Sequence, residues 1–287
     1  MKIKDSANQL LLAFESSLAL NGNRTRNEPL FAGVDLGTAY TVTAVVNAAG
    51  MPVAGALTRS RSSIRDGLVL DFTGAIAMVR HQVKLLHEAG FPIRSAAAAY
   101  PPGTTGRNAQ TFANVLEAAG LQAVGLIDEP TAASLVLEIT DGAVVDIGGG
   151  TTGISVIRNG EVVYTADEAT GGIHVDLVIA GHLKISTEEA EAIKTDPRQQ
   201  ATIFPLITPV FQKMASIVNH HLLRRPVTTL YLVGGTSCFP GIEQVMESET
   251  GLPVQRPVNP LLVTPLGIAL SCLKTARGEK HGMGKTL

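Results

Sequence analysis

At 287 residues, with 45% hydrophobic and 17% charged side chains, the chain can bury one large core or two medium ones. A formal net charge of −2 excludes a general electrostatic pull toward nucleic acid or an anionic membrane. The two cysteines, Cys238 and Cys272, read as small buried hydrophobes rather than a disulfide and fit a cytoplasmic chain. No His/Cys set has zinc spacing, so no structural metal is expected.

No apolar run reaches the roughly 20 residues needed to span a bilayer, since Leu261 to Leu273 is interrupted by Pro265 and Gly267. Lys2 and Lys4 precede Leu10-Leu-Leu-Ala-Phe14, but Glu15 breaks that run and no small-x-small cleavage site follows cleanly, so it is not a signal sequence. Instead Ala7, Leu11, Phe14 and Leu18 share one helical face, with Asp5 or Ser6 placed to cap it. A polar linker, Asn21 to Pro29, follows, so residues 1–28 are a helix and tether. Two readings stand: a docking peptide for a partner, or a helix that packs back on its own domain.

Val34-Asp-Leu-Gly-Thr-Ala-Tyr-Thr41 is a strand running into a glycine turn, with an acid at the strand's end. A strand, Val42 to Val46, a hairpin turn, Asn47-Ala-Ala-Gly50, and Met51-Pro-Val53 come next. Thr58 to Arg65 reads as a basic connection whose Arg59, Arg61 and Arg65 are either solvated or phosphate-bound. Asp66 to Phe72 is a short strand or turn, and Thr73 to Ala89 a helix with Ile76, Val79, Val83 and Leu86 inward. Ser95 to Tyr100 is a strand of small residues, Gly106 to Ala119 a helix, and Leu121 to Ile127 a strand. It ends in Asp128-Glu-Pro-Thr-Ala-Ala133, whose Asp128 is a general base or simply a cap for the helix to about Ile139.

Val144-Val-Asp-Ile-Gly-Gly-Gly-Thr-Thr-Gly153 then repeats the opening pattern with two more glycines. Glycines let backbone N–H groups approach an anion that a Cβ would hold off, and the Thr151 and Thr152 hydroxyls add donors. Asp146 would repel a phosphate, so the partner expected for it is a Mg²⁺ ion carrying the phosphates. The strand Ile154 to Ile157, the turn Arg158-Asn-Gly160 and Glu161-Val-Val163 complete the repeat. A duplicated unit implies two similar lobes facing one another across a nucleotide. Ala169 to Asp176 is a glycine turn opening a helix, Ser186 to Lys194 carries a capping box, and Phe204 to Leu223 is a longer amphipathic helix. Leu230 to Ser237 is a strand ending in a third glycine turn, Val258 to Leu273 a helix, and Gly278 to Leu287 a loose tail.

These stretches, in this order, resemble the motifs of the actin/Hsp70/sugar-kinase ATPase superfamily. Gly33 to Thr38 is similar to its first phosphate motif and Val145 to Thr152 to its second. Asp128 to Ala133 resembles the first connecting motif, Leu232 to Thr236 the adenosine motif, and Asn259 to Ala269 the second connecting helix. The resemblance covers about Phe31 to Lys274 and implies a duplicated ribonuclease H-like α/β fold with a nucleotide cleft and reduced outer subdomains. Its lobes would be 29–139, with 258–275 returning to it, and 140–257, followed by a tail from 276.

The resemblance also implies roles. Asp35 and Asp146 would organise Mg²⁺ through water, while Gly37, Thr38, Tyr40, Gly148, Gly149, Gly150 and Thr151 would hold the nucleotide's phosphate side. Glu129 would orient the attacking water. Gly171 and Gly172 match an Hsp70 glycine segment, Gly234 and Gly235 would pack on adenosine, and Glu191 and Lys194 would reach the ribose or base of ATP or ADP. Within the superfamily the chain is similar to chaperone-like proteins encoded with bacterial microcompartments for ethanolamine utilisation. That likeness implies ethanolamine ammonia-lyase, or another microcompartment enzyme or shell protein, as client.

Two departures bear on catalysis. The lysine that Hsp70 proteins direct at the phosphates is replaced by arginines between Val53 and Asp71, and Gly153 stands where most relatives have an acid. Alternatives are a pseudo-ATPase adaptor, an actin-like filament or scaffold protein, and a sugar or acid kinase, for which the chain offers no catalytic acid.

Overall fold

The computed structural model describes residues 2–20, 28–60, 71–104 and 106–279, with the backbone alone for 64–65 and 68–69. The linker at 21–27, Arg61, the side chain of Arg65 and most of the tail therefore lie outside the described residues.

Helix α1 (Asp5–Ser17) is followed by strands β1 (Leu30–Leu36), β2 (Tyr40–Asn47) and β3 (Pro52–Arg59). The short β4 (Ile64–Arg65) and β5 (Leu68–Val69), helix α2 (Phe72–Glu88), strand β6 (Ser95–Tyr100), helix α3 (Arg107–Ala118), strand β7 (Gln122–Asp128) and helix α4 (Glu129–Leu137) complete the first half. The second half runs β8 (Gly142–Ile147), β9 (Thr152–Arg158), β10 (Glu161–Glu168), α5 (Gly172–Leu183), α6 (Thr187–Thr195), α7 (Pro197–Leu222), β11 (Leu230–Val233), α8 (Ile242–Thr250), β12 (Val254–Gln255) and α9 (Val263–Ala276).

The duplication read from the two glycine turns extends to whole sheets. One has strand order β3-β2-β1-β6-β7 and the other β10-β9-β8-β11-β12. In each, the first three strands form an antiparallel meander and the rest are parallel. The hairpin turns at 47–50 and 158–160 close the same connection in both. This is the duplicated fold with reduced outer parts: among the described residues, the short β4–β5 pair and α2 stand between β3 and β6, and three helices between β10 and β11.

Helix α9 lies between the halves, and Val263 to Ala269 of its apolar sequence are buried. It meets β1 and α4 backbone to backbone: a Cβ on Gly33 would stand 2.2 Å from the Ala269 nitrogen, and one on Gly267 would stand 1.9 Å from the Ala132 carbonyl oxygen. No side chain larger than hydrogen fits either crossing.

Several boundaries differ from the sequence reading. Strand β3 continues to Arg59, through residues assigned to a polar connection, because it pairs along β2 up to Tyr40. Helix α7 begins at Pro197, not Phe204, and carries Pro205 and Pro209 inside it. Both prolines are on the exposed side, where the carbonyls that lose an N–H partner can meet water. Helix α9 starts at Val263, after a 3₁₀ turn over Pro260–Leu262. Strand β12 was not foreseen.

Over its most apolar 18-residue stretch α7 is, by length and composition alone, apolar enough to cross a bilayer, although no uninterrupted apolar run suggested it. Its Ile203, Ile207, Phe211, Met214 and Val218 lie in the core of the second half. Cys272 is buried as expected, but Cys238 is exposed, and both are free thiols.

Of the two readings of α1, the structure takes the second. Ala7, Leu11 and Phe14 are buried, and Phe14 and Leu18 fill the space over Gly55 of β3, where a Cβ would come within 2.6 and 2.8 Å of them. The helix is not capped by Asp5 or Ser6: its N-cap is Lys4, which pairs with Glu138 instead. Asn8 accepts from the Val258 N–H at 3.1 Å and Glu15 from Asn259 Nδ2 at 3.1 Å, so α1 also steadies the segment leading into the 3₁₀ turn.

Candidate functional site: a cleft between two glycine turns

The repeated motifs fold into the same turn. Gly37 N–H donates to the Tyr40 carbonyl at 2.9 Å and Gly148 N–H to the Thr151 carbonyl at 3.0 Å. Each turn leaves an aspartate, Asp35 or Asp146, just before it. The turns meet face to face: a Cβ on Gly149 would stand 2.9 Å from the Ala39 Cβ, and one on Gly150 would stand 3.0 Å from the Thr38 hydroxyl.

The carbonyls of the second turn are held from behind. Gly148 O accepts from Gly172 N–H at 2.9 Å and from the Thr236 hydroxyl at 2.8 Å, and Gly149 O accepts from Ile173 N–H at 2.8 Å. Gly171 and Gly172 therefore support the turn from outside the cavity and do not line it; a Cβ on Gly171 would strike both carbonyls at under 3 Å.

A cavity of about 240 Å³ runs between the halves. Asp35, Gly37, Thr38 and Tyr40 form its first wall, and Asp146, Gly148, Gly149, Gly150 and Thr151 its second. Glu129, Glu191, Lys194, Gly234 and Gly235 also line it, whereas Gly171, Gly172 and Thr152 do not, the Thr152 hydroxyl donating instead to the Thr170 carbonyl at 2.6 Å.

Glu129 opens α4, and the residue before it proves to be the helix cap: Asp128 accepts from the Thr131 N–H at 3.0 Å and from its hydroxyl at 2.8 Å. That leaves Glu129 as the carboxylate aimed at the cavity. Gly234 has φ +88°, a left-handed conformation, and a Cβ there would stand 2.3 Å from Asp146 Oδ1. The third glycine turn thus wraps over the Asp146 carboxylate, whose Oδ2 accepts from the Thr264 hydroxyl at 3.1 Å.

Crowding these acids away from water raises their proton affinity. Burial, then the neighbouring Asp146, lifts Asp35 to about 7, and burial lifts Asp146 to about 6 against the Thr264 hydrogen bond. Glu129 is pushed well above the usual carboxyl range, by burial first and then by Asp146 and Asp35. The three acids thus resist ionising together, although among the described residues no group of three or more such side chains comes close enough to hold a metal ion directly.

Glu191 and Lys194 stand at the far end, each with a partner the sequence did not reveal. Lys194 meets Asp176 at 2.7 Å and donates to the Gly172 carbonyl at 3.2 Å, and burial still lifts Asp176 to about 6. Glu191 pairs with Arg59, a carboxylate partner that neither the solvated nor the phosphate-bound reading of Arg59 included.

Residues missed from the sequence include Thr264, Thr236 and Asp167. The last sits opposite Gly153 on the neighbouring strand, and Gly153 in turn sits opposite Asp146. Cross-strand neighbours share a face of the sheet, so Asp146 and Asp167 share one, and the charge of Asp167 adds to the upward shifts of Asp146 and Glu129. Register was the only signal that could have found it.

Residues 53–196 match the model of the MreB/Mbl protein family and residues 143–267 that of cell division protein FtsA. The chain is 43% identical over 252 residues to ethanolamine utilization protein EutJ of Escherichia coli (strain K12), covering 87% of this chain and 88% of that protein. The crystal structure of EutJ from Carboxydothermus hydrogenoformans superposes with a TM-score of 0.87 at 45% identity, covering 92% of this chain and 98% of that one. MreB5 of Spiroplasma citri bound to AMPPNP shares the fold at a TM-score of 0.68 and 17% identity, covering 89% of this chain and 98% of that one. The paired glycine turns, the mirrored sheets and these likenesses agree: the chain belongs to the EutJ family of ethanolamine utilization proteins, within the actin-like ATPases.

Proposed function

We propose that the cleft binds ATP with Mg²⁺, hydrolyses it slowly, and drives a chaperone-like cycle in ethanolamine utilisation. The observation that carries this reading is the convergence of Asp35, Asp146 and Glu129 with two N–H-bearing glycine turns on one cavity. MreB5, which shares the fold, is described with AMPPNP and with ADP bound, which supports the choice of adenine nucleotide.

The residues fit a magnesium nucleotide. The glycine turns border the cavity with backbone, so that N–H groups can reach phosphate oxygens, and carboxylates suit a hard cation that keeps its waters. Asp35 and Asp146 would hold Mg²⁺ through water, and the ion would neutralise phosphate charge as the terminal P–O bond breaks. Gly37, Thr38, Tyr40 and Gly148 to Thr151 hold the phosphate end, Gly171 and Gly172 brace that turn, and Gly234 and Gly235 bound the adenosine end. Glu129, whose proton affinity burial and the neighbouring Asp146 and Asp35 raise, would orient the attacking water. Closing of the halves on ATP and opening on ADP is the mechanical output.

The client is ethanolamine ammonia-lyase or another microcompartment enzyme or shell protein, and the chain works in the cytoplasm at or inside the compartment. Reactivation of stalled ammonia-lyase by the protein should require ATP and fail with Asp146→Asn; equal reactivation without nucleotide contradicts the reading. Gly153, which leaves the second turn without the acid most relatives carry there, favours one alternative: an adaptor that binds nucleotide without turning it over. Tight ATP binding with no phosphate release over hours selects it.

A further inference from the structure

Arg59 ends β3 in the first half and Glu191 sits on α6 in the second, yet their guanidinium and carboxylate form an ion pair. Glu191 also lines the cavity, so the pair bridges the two halves at its rim. Helix α6 rests on the second half through a narrow apolar contact, Ala190 in its core and Ile193 packed against it. Lys194 adds polar ties to the second half, through Asp176 at 2.7 Å and the Gly172 carbonyl at 3.2 Å. Gly172 and Ile173 in turn donate to the carbonyls of Gly148 and Gly149. A continuous run of polar contacts therefore joins the edge of the first sheet to the second glycine turn by way of α6 and α5.

We infer that Arg59 is a positioning residue which, by holding Glu191 across the rim, clasps the two halves over a bound nucleotide and sets how fast it leaves. The inference rests on the cleft being the nucleotide site. Partial exposure suits a clasp that must open. The two side chains are 47% and 21% exposed, so water and salt reach the pair and let it part, whereas a dry pair would lock it shut. A clasp at this place also senses the ligand, because phosphates seated on Gly148 to Gly150 steady the same turn that α5 and α6 hang from. Among the described residues, Arg59–Glu191 is the ion pair that joins α6 to the first half.

Stopped-flow release of a fluorescent ADP from the full-length protein with Mg²⁺ tests this. Arg59→Ala is expected to release nucleotide about threefold faster, the scale of a half-exposed ion pair. The parent at about 0.5 M salt is expected to approach the variant's rate, while the variant changes little. Glu191→Ala, which also removes a cavity-lining carboxylate, should release at least as fast as Arg59→Ala, the double variant should match Glu191→Ala because Arg59 then has no partner left to lose, and Arg59→Lys should fall between parent and Arg59→Ala. Unchanged release in Arg59→Ala, or effects of the single changes that multiply in the double variant, overturns the assignment. A parent that binds no nucleotide ends the reading of the cleft itself. The distance between spin labels on α2 and α8 then judges the clasp alone: lengthening in Arg59→Ala upholds it, and no change overturns it.

Discussion

Acidification is expected to weaken binding of magnesium nucleotide over a window set by the two aspartates at the ends of β1 and β8. Asp35 titrates at about 7 and Asp146 at about 6 in the ligand-free cleft. Both shifts are upward, so each carboxyl keeps its proton in a range where an ordinary aspartate has lost it, and a hydrated cation gains full attraction only once that proton leaves. From about pH 8 to about pH 5.5 the ionised share of Asp35 drops about thirtyfold and that of Asp146 about fourfold, which together weaken Mg²⁺–ADP about a hundredfold. Calorimetric titration in buffers of different ionisation heat reads both the affinity and the protons released, about one per nucleotide near pH 6.5. Asp35→Asn serves as the control: its overall affinity is lower, and its decline with acid is shallower because the larger of the two steps is gone. The phosphate's own titration is common to both proteins and cancels in the comparison. Equal affinity at the two pH extremes, or an identical decline in Asp35→Asn, refutes the placement of these acids around the cation.

The same shifts act with opposite sign on the ligand-free fold. Folded pKa values above the unfolded ones give stability that is whole below about pH 4 and is lost through pH 6 to 7, so the melting temperature without ligand should fall toward pH 8 and recover with Mg²⁺–ADP. Gly234→Ala, placing a methyl 2.3 Å from Asp146 Oδ1 at a left-handed backbone, should abolish nucleotide binding while the far-ultraviolet dichroism stays near the parent's; full binding contradicts the wrapped geometry. Phe14→Ala removes a wholly buried ring and should destabilise the protein by about 3 kcal/mol in urea unfolding, whereas a dangling α1 predicts almost no change. Asp167→Asn should lower the pKa values of its neighbours and shift the acid limb of the binding profile downward; an unmoved limb shows that Asp167 does not reach them.

The sequence disclosed features written locally. The two glycine turns, the Ser186 capping box and the strand of small residues at 95–100 each depend on a few adjacent residues, and each formed where expected. So did the mirrored strand plan, because the repeat copies hydrophobic pattern and turn together. What escaped depends on register or on distant partners. The Arg59–Glu191 pair joins residues more than a hundred positions apart, and neither neighbourhood hints at the other. Asp167 lies in the row of Asp146 only because β9 and β10 pair in one register and not the next. The start of α7 was placed too late: Pro205 and Pro209 were already inside the expected helix, and the signal passed over is Asp196, which caps the helix by accepting from the Arg198 N–H, with Pro197 at its first position. Cys238 was assigned to the interior on residue type alone, and its place on the cavity wall follows from the third glycine turn.

Calorimetric titration of the full-length protein with ADP, with and without Mg²⁺, tests the central claim most directly, with Asp146→Asn titrated alongside. The account predicts one site per chain, tighter by at least about tenfold when Mg²⁺ is present, with that gain gone in the variant. No binding by the parent, or binding that ignores both the metal and the substitution, contradicts it.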